Sequence, residues 1–280
     1  MSLQTRKRDS NPKVTRKRDS NPKVTYSTNQ LQLFDTHCHP QLIKDHIDLS
    51  YFTNDVSRVL AVSVSCADRF DLMNLADQHS GLYYSVGSHP LDTSDSHILD
   101  IANDPTLYHS KLVAIGETGL DYYPGIQMDD IRRQQQSFEG HLWLSQQLSK
   151  PIIIHTRYDV EDDLILTIEQ YSNVCGVLHS FCGPYSLAKR ALDLGYYISL
   201  SGIVTFKSAQ HVRDIAHYVP LDRLLIETDA PYLCPHPFRG YTNHPSYLHI
   251  TAKFVASLLS ITYEELADTT TANACRLFSI

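Results

Sequence analysis

Eight short apolar runs in this chain are closed by residues that could bind a metal ion or carry a proton. Leu31 to Thr36 leads into His37 and His39, Arg58 to Ser65 into Cys66, Leu82 to Gly87 into His89, and Leu112 to Gly116 into Glu117. Pro151 to Ile154 leads into His155 and Val174 to Leu178 into His179. Tyr196 to Ser201 ends on Ser201, and Leu224 to Thr228 leads into Asp229. Five of the 15 histidines fall at these junctions. Scattered surface histidines would not fall so regularly.

Imidazole nitrogens and carboxylate oxygens form a mixed donor set for divalent ions, suiting Zn, Mn, Co or Fe better than an all-oxygen Mg site. His37 and His39 flank Cys38, so on an extended strand both rings face one side. Each junction alone has a plainer reading. His-x-His also fits two hydrogen-bonded or exposed histidines. His155 and His179 also fit buried rings bonded to backbone, and Asp229 fits an aspartate entering the turn before Ala230-Pro231. Glu227 shares a face with Asp229, and burying both is costly without a compensating cation or basic group. Asp35 is placed to orient a ligand from behind. Taken together, His37, His39, His155 and His179 with Glu117 and Asp229 suffice for two divalent ions, with Mg, Mn or Zn as candidates. Two such ions, roughly 3.5–4 Å apart, acidify a water and clamp the oxygens of a displacement. Glu117 has two oxygens with which to bridge them. Asp229, next to that water, is placed to take its proton.

The elements that must position these groups follow from the apolar pattern. Several runs are rich in Val, Ile and Leu without polar alternation, as in parallel strands covered on both faces. Leu248, Ala252, Val255 and Leu259 keep helical spacing, as do Ile131, Phe138 and Leu142. Gly183-Pro184 opens and Gly195 closes a helix over Tyr185 to Leu194, and Thr262 with Glu265 has capping-box spacing before a last helix. The expected fold is α/β, a single-domain (β/α)8 TIM-type barrel over residues 31–280, whose strand ends converge on one mouth. A doubly wound sheet is the competitor, weakened by the absence of a Gly-x-Gly-x-x-Gly turn or a Gly-x-x-x-x-Gly-Lys loop.

Residues 1–30 are set apart from this pattern. Residues 5–14 and 15–24 are the same ten residues twice, with eight basic and two acidic residues between them. Almost no apolar content makes this a disordered basic extension, in which a nucleic-acid arm or targeting tail is the other reading. The remainder holds 16 basic against 29 acidic residues of the chain's 24 and 31, a net of −13. An acidic body is no broad electrostatic nucleic-acid binder, so any nucleic acid is gripped locally. No apolar run approaches a membrane span and the N-terminus carries no secretory apolar core. Six cysteines without a Cys-x-x-Cys pair predict reduced thiols and a cytoplasmic setting.

The chain resembles the TatD-type DNase family of metal-dependent hydrolases, amidohydrolase-like barrels, from about Leu33 to Phe278. The resemblance rests on Phe34-Asp35-Thr36-His37-Cys38-His39, Val86-Gly87-Ser88-His89-Pro90, and Ile115-Gly116-Glu117-Thr118-Gly119-Leu120-Asp121-Tyr122-Tyr123. It continues in Ile153-Ile154-His155-Thr156-Arg157, Val177-Leu178-His179-Ser180-Phe181 and Leu225-Ile226-Glu227-Thr228-Asp229-Ala230-Pro231-Tyr232. It implies that His37, His39, Glu117 and Asp229 hold one ion, and Glu117, His155 and His179 the other. It implies hydrolysis of DNA phosphodiesters, 3′-to-5′ on single strands, with Asp229 and Glu117 catalytic and His89, Arg157 and Arg239 on the substrate phosphates. Asp35 and Glu227 stand behind the ligands. The chain departs from the family's pattern at Leu91, where many members have histidine, and at Tyr241, where lysine is usual.

Two other functions compete. A hydrolase of a small phosphorylated, ester or cyclic amide substrate uses a similar site, but many such barrels bridge their metals with a carboxylated lysine, and strand four ends in Glu117. A non-catalytic nucleic-acid binder working through the basic tail would leave a buried ligand set uncompensated. No membrane and no obligate protein partner is expected.

Overall fold

Branched aliphatic runs without polar alternation form strands that are buried on both faces, and here they line up in parallel. The computed structural model describes residues 32–43, 55–92 and 98–280. Its strands are β1 (Leu33–Cys38), β2 (Val56–Ala61), β3 (Leu82–Val86), β4 (Leu112–Asp121), β5 (Ile152–Arg157), β6 (Gly176–Leu178), β7 (Tyr197–Leu200) and β8 (Leu224–Ile226). They pair in sequence order as one parallel sheet. The sheet closes through a parallel bridge between Cys38 and Ala230, where the His39 N–H donates to the Ala230 carbonyl at 2.7 Å and the Asp229 N–H to the His37 carbonyl at 2.9 Å. This is the expected TIM-type barrel. Its seam closes at the mouth, through the backbone of three predicted site residues. The basic repeat of residues 5–24 lies outside the described residues.

The helices are α1 (Arg69–Asp77), α2 (Met128–Leu148), α3 (Glu161–Glu169), α4 (Tyr185–Asp193), α5 (Gln210–Tyr218), α6 (Leu248–Leu259) and α7 (Tyr263–Phe278). The spacing of Leu248, Ala252, Val255 and Leu259 falls on α6, and Thr262 accepts the Glu265 N–H at 3.0 Å to cap α7. Between β3 and β4 the described residues form two 3-10 turns, Ile98–Ile101 and Pro105–Tyr108, in place of a helix.

Strand ends differ from the sequence expectation in ways that matter to the site. β4 continues past Gly116 to Asp121, because Gly116 (φ 128°) and Gly119 (φ 137°) take backbone angles open to glycine and the strand resumes beyond them. β5 runs on to Arg157, so His155 sits within the strand. β2 stops at Ala61, since Ser65 and Asp68 form a reciprocal capping box that turns the chain at Cys66.

Inside the barrel one side chain from each strand builds an apolar layer: Phe34, Leu60, Tyr83, Val113, Ile153, Val177, Tyr197 and Leu225, closed below by Leu277 and Phe278 of α7. Burying such a side chain contributes about 1.5–3 kcal/mol each. Two residues further along the same strand faces stand Thr36, Ser85, Ser199 and Glu227, all buried. Thr36 donates to the Ile226 carbonyl at 2.9 Å. Above this polar layer opens the mouth.

Candidate metal centre

Irregular register brings the candidate ligands into place. Asp35 pairs with Val59 but Cys38 with Ala61, so β1 carries one residue more than β2 across His37. Likewise Ile115 pairs with Ile152 but Thr118 with Ile154, so β4 carries one extra residue at Glu117. Such bulges re-aim side chains and recur beside active sites. Gly119 lets β4 approach closely: a Cβ there would meet the His155 carbonyl oxygen at 2.1 Å.

Glu117, 2% exposed, lies between two groups of rings. Its Oε2 faces His37 Nε2 at 3.5 Å and His39 Nε2 at 3.7 Å. Its Oε1 faces His179 Nε2 at 2.7 Å and His155 Nδ1 at 2.9 Å. Asp229 Oδ1 completes the first group, 3.4 Å from His39 Nε2 and 3.7 Å from His37 Nε2. The Nε2 atoms of His37 and His39 are 3.1 Å apart, and His37 stacks on His179 with centroids at 3.9 Å. The structure therefore brings together all six residues expected from the sequence to hold metal.

The far nitrogens of three rings are already engaged. His39 Nδ1 lies 2.8 Å from the Val62 carbonyl, His179 Nδ1 3.2 Å from Glu227 Oε1, and His155 Nε2 3.3 Å from Asp121 Oδ2. A neutral ring bonded in this way spends its proton there and turns a lone pair toward the oxygens of Glu117 or Asp229. Lone pairs facing lone pairs repel unless positive charge lies between them, either a proton on the ring or a metal cation in its place. The donor set fits divalent ions on this ground, and groups such as His37, His39 and Glu117 have the spacing to hold one.

The electrostatics point the same way. Burial opposes ionisation of Glu117, but the surrounding His179, His89 and His155 outweigh it and hold the carboxyl well below the usual range. Burial likewise disfavours charge on His179, yet Glu117 and Glu227 push that ring well above its ordinary value. For Asp229, burial is outweighed by His39 and His37, which hold its carboxyl low. The cluster attracts positive charge, and binding divalent ions would displace protons from its rings.

Of the six candidate ligands, His39, Glu117, His155, His179 and Asp229 line a cavity of about 450 Å³, with Leu42, Val64, Leu91 and Tyr232 on its walls. Leu91, one of the two departures from the family pattern, is thus a wall residue. His89 borders the cavity 3.7 Å from Glu117 Oε1. Its Nδ1 accepts the Leu91 N–H at 3.1 Å, so the neutral ring carries its proton on Nε2, and burial lowers its pKa to about 4. Its Nε2 faces Glu117 Oε1, and His89 with Glu117 and His155 is a further group with the spacing to hold an ion. Arg157 ends β5 with its side chain 59% exposed and Nη1 3.8 Å from Asp121, while Arg239, exposed in the segment after β8, lies over the Phe206 ring at 4.6 Å. Asp35 does not touch a ring; it bonds the backbone N–H of His37 and of Thr228. Cys66 and Ser201 turn to Ser88 and Ser180 respectively.

Sequence reasoning missed Asp121. Ending the strand at Gly116 removed it from the period-two face that it shares with Glu117. Alternation counted onward through Gly119 would have found it.

A family model described as TatD related DNase matches residues 34–279. The chain is 42% identical over 258 residues to the uncharacterized metal-dependent hydrolase YcfH of Escherichia coli (strain K12), covering 89% of this chain and 96% of that protein. It is 38% identical over 255 residues to the uncharacterized metal-dependent hydrolase YabD of Bacillus subtilis (strain 168), covering 89% and 99%. Among solved structures, YJJV, a TatD homolog from Escherichia coli K12, superposes with a TM-score of 0.79 at 26% identity, covering 89% of this chain and 98% of that one. A TatD family hydrolase from Entamoeba histolytica shares the fold at a TM-score of 0.77 and 20% identity, covering 89% and 99%.

Proposed function

The chain belongs to the TatD-related DNase family and is a metal-dependent hydrolase, and from that premise we propose that it cleaves phosphodiester bonds of single-stranded DNA, 3′ to 5′, with two divalent ions held about Glu117. The observation that carries this reading is the division of Glu117: Oε2 faces His37 and His39, whereas Oε1 faces His155 and His179, with His89 farther off at 3.7 Å. His37, His39 and Asp229 would hold one ion with Glu117, and His155 and His179 the other. When bound, two such ions supply charge that acidifies a water and neutralises phosphate oxygens.

The chain's own groups do the rest. Asp229, ionised over the working pH range, accepts the proton of the attacking water. The water oxygen bonds to phosphorus as the bond to the deoxyribose oxygen breaks, and that oxygen leaves with the electron pair and takes up a proton from solvent. His89 donates Nε2–H to a substrate oxygen in the cavity. Arg157 and Arg239 offer forked donors to flanking phosphates. A cavity of about 450 Å³ is the size of a small-ligand site and supports entry of one strand end. With an acidic body, any grip on the strand is local and not spread over a broad basic face. All six cysteines are free, which supports a cytoplasmic setting. Among the described residues no helix is long and apolar enough to cross a membrane.

A small phosphorylated, ester or cyclic amide substrate is the second reading, favoured by the size of the cavity and the negative body. Separating them takes metal-stripped protein given Mg, Mn or Zn with a panel of labelled single-stranded DNA, duplex, RNA, small phosphodiesters and a cyclic amide. We expect stepwise shortening of the single strand from its 3′ end, lost in Glu117→Ala. Turnover of the small substrates alone would overturn the nuclease reading.

A further inference from the structure

His155 is gripped from both sides by carboxylates of one strand. Glu117 Oε1 lies 2.9 Å from its Nδ1 and Asp121 Oδ2 3.3 Å from its Nε2, with Gly119 between them paired to His155 across the ladder. His155 thus offers Nδ1 to the cluster, whereas His37, His39 and His179 offer Nε2. A neutral imidazole can present Nδ1 only when its proton sits on Nε2, and Asp121 is the acceptor that holds it there.

Asp121 is itself held. Gln134 of α2, fully buried, accepts the Asp121 N–H through Oε1 at 2.8 Å and donates Nε2–H to the Asp121 carbonyl at 3.1 Å. This two-point clamp fixes the end of β4 against α2. The Asp121 carboxylate gains little from Arg157, whose Nη1 is 3.8 Å away on an exposed side chain. Its Oδ1 is buried without a hydrogen-bond partner. A fold gains nothing from such a carboxylate unless nearby positive charge compensates it.

We propose that Asp121, clamped by Gln134, is the positioning residue that locks His155 in its Nδ1-presenting tautomer and thereby sets the affinity of one of two ion positions, the one framed by Glu117 Oε1, His155 and His179. The inference rests on the two-ion reading above. The other position, framed by His37, His39 and Asp229, has no contact with Asp121 and keeps its affinity when Asp121 changes. Groups that orient a metal-binding histidine from behind typically change affinity 10–100-fold, and the effect here falls on a single site.

The test is calorimetric titration of metal-stripped full-length protein with Mn²⁺, comparing wild type, Asp121→Asn and Gln134→Ala, alongside ¹⁵N shifts of the His155 ring. We expect two wild-type equivalents. In Asp121→Asn one should bind as before and the other about 10–100-fold more weakly, with the His155 nitrogens showing mixed tautomers. Gln134→Ala should weaken the same equivalent; should that variant not fold, Asp121→Asn alone decides. Two wild-type equivalents with both affinities unchanged, or equally reduced, in Asp121→Asn overturn this inference and leave the two-ion reading standing. One wild-type equivalent overturns both.

Discussion

Asp35 reaches across the seam of the barrel to Thr228, 193 positions away in sequence: Oδ1 accepts the Thr228 N–H at 2.9 Å and Oδ2 accepts the Thr228 hydroxyl at 2.5 Å. The same Oδ1 takes the N–H of His37 at 3.3 Å. One buried carboxylate thus ties His37 to the residue preceding Asp229, although these two ring-and-carboxylate partners lie at opposite ends of the chain. Burial pushes the Asp35 carboxyl up to about 7, with the bonds from Thr228 and His37 pulling the other way.

Thr228→Val tests the seam. It removes the hydroxyl that donates to Asp35 and that accepts the Ala230 N–H at 3.2 Å. Leaving those groups unpaired in a buried place should cost about 1–3 kcal/mol, read by urea unfolding of metal-stripped protein. Ion binding beside His37 and Asp229 should weaken with it. Unchanged unfolding would show that the seam is held elsewhere.

Stability should fall in mild acid through His141 of α2. This fully buried ring lies with Nδ1 2.6 Å from the Ser137 carbonyl and accepts the Ser88 N–H on Nε2 at 2.9 Å, so it must be neutral. Burial lowers its pKa from 6.5 to about 4. The unfolded chain therefore binds the extra proton between those values, and the stabilisation, full above pH 6.5, drains away as pH falls toward 4. Its size is on the order of 3 kcal/mol. The stability gap between wild type and His141→Gln should shrink by about that amount from neutral pH to pH ~4 in urea titrations. A gap independent of pH would contradict it.

Arg157→Ala and Arg239→Ala should each raise KM for single-stranded DNA several-fold while kcat stays within about twofold, as expected for groups that hold phosphate without entering the chemistry. Each loss should also flatten the dependence of log KM on log salt by ~0.7 for a single strand. A fall in kcat at constant KM would instead place the arginine at the reacting phosphate.

Much of this site could be read before folding because each ligand closes an apolar run, and in a barrel those ends meet. Glu117, His155, His179 and the His37–His39 pair needed only strand order to become neighbours. What could not be read is set by long-range register. The extra residues at His37 and Glu117 arise only when β1 is laid against β2 and β4 against β5. Glycines inside β4 looked like a strand end, which hid Asp121 and with it the grip on His155. The clamp from Gln134 comes from a helix packed behind the strand, and no spacing rule announces such a contact. Ring tautomers follow from partners such as Val62 and Glu227, which local sequence does not reveal.

On the two-ion reading, Glu117 stands between two ions. Anomalous diffraction from crystals soaked in Mn²⁺ would locate those ions. Two peaks are expected, roughly 3.5–4 Å apart, one beside His37, His39 and Asp229 and one beside His155 and His179, with a Glu117 oxygen toward each. A single peak, or one seated between His89 and His155, would contradict that reading.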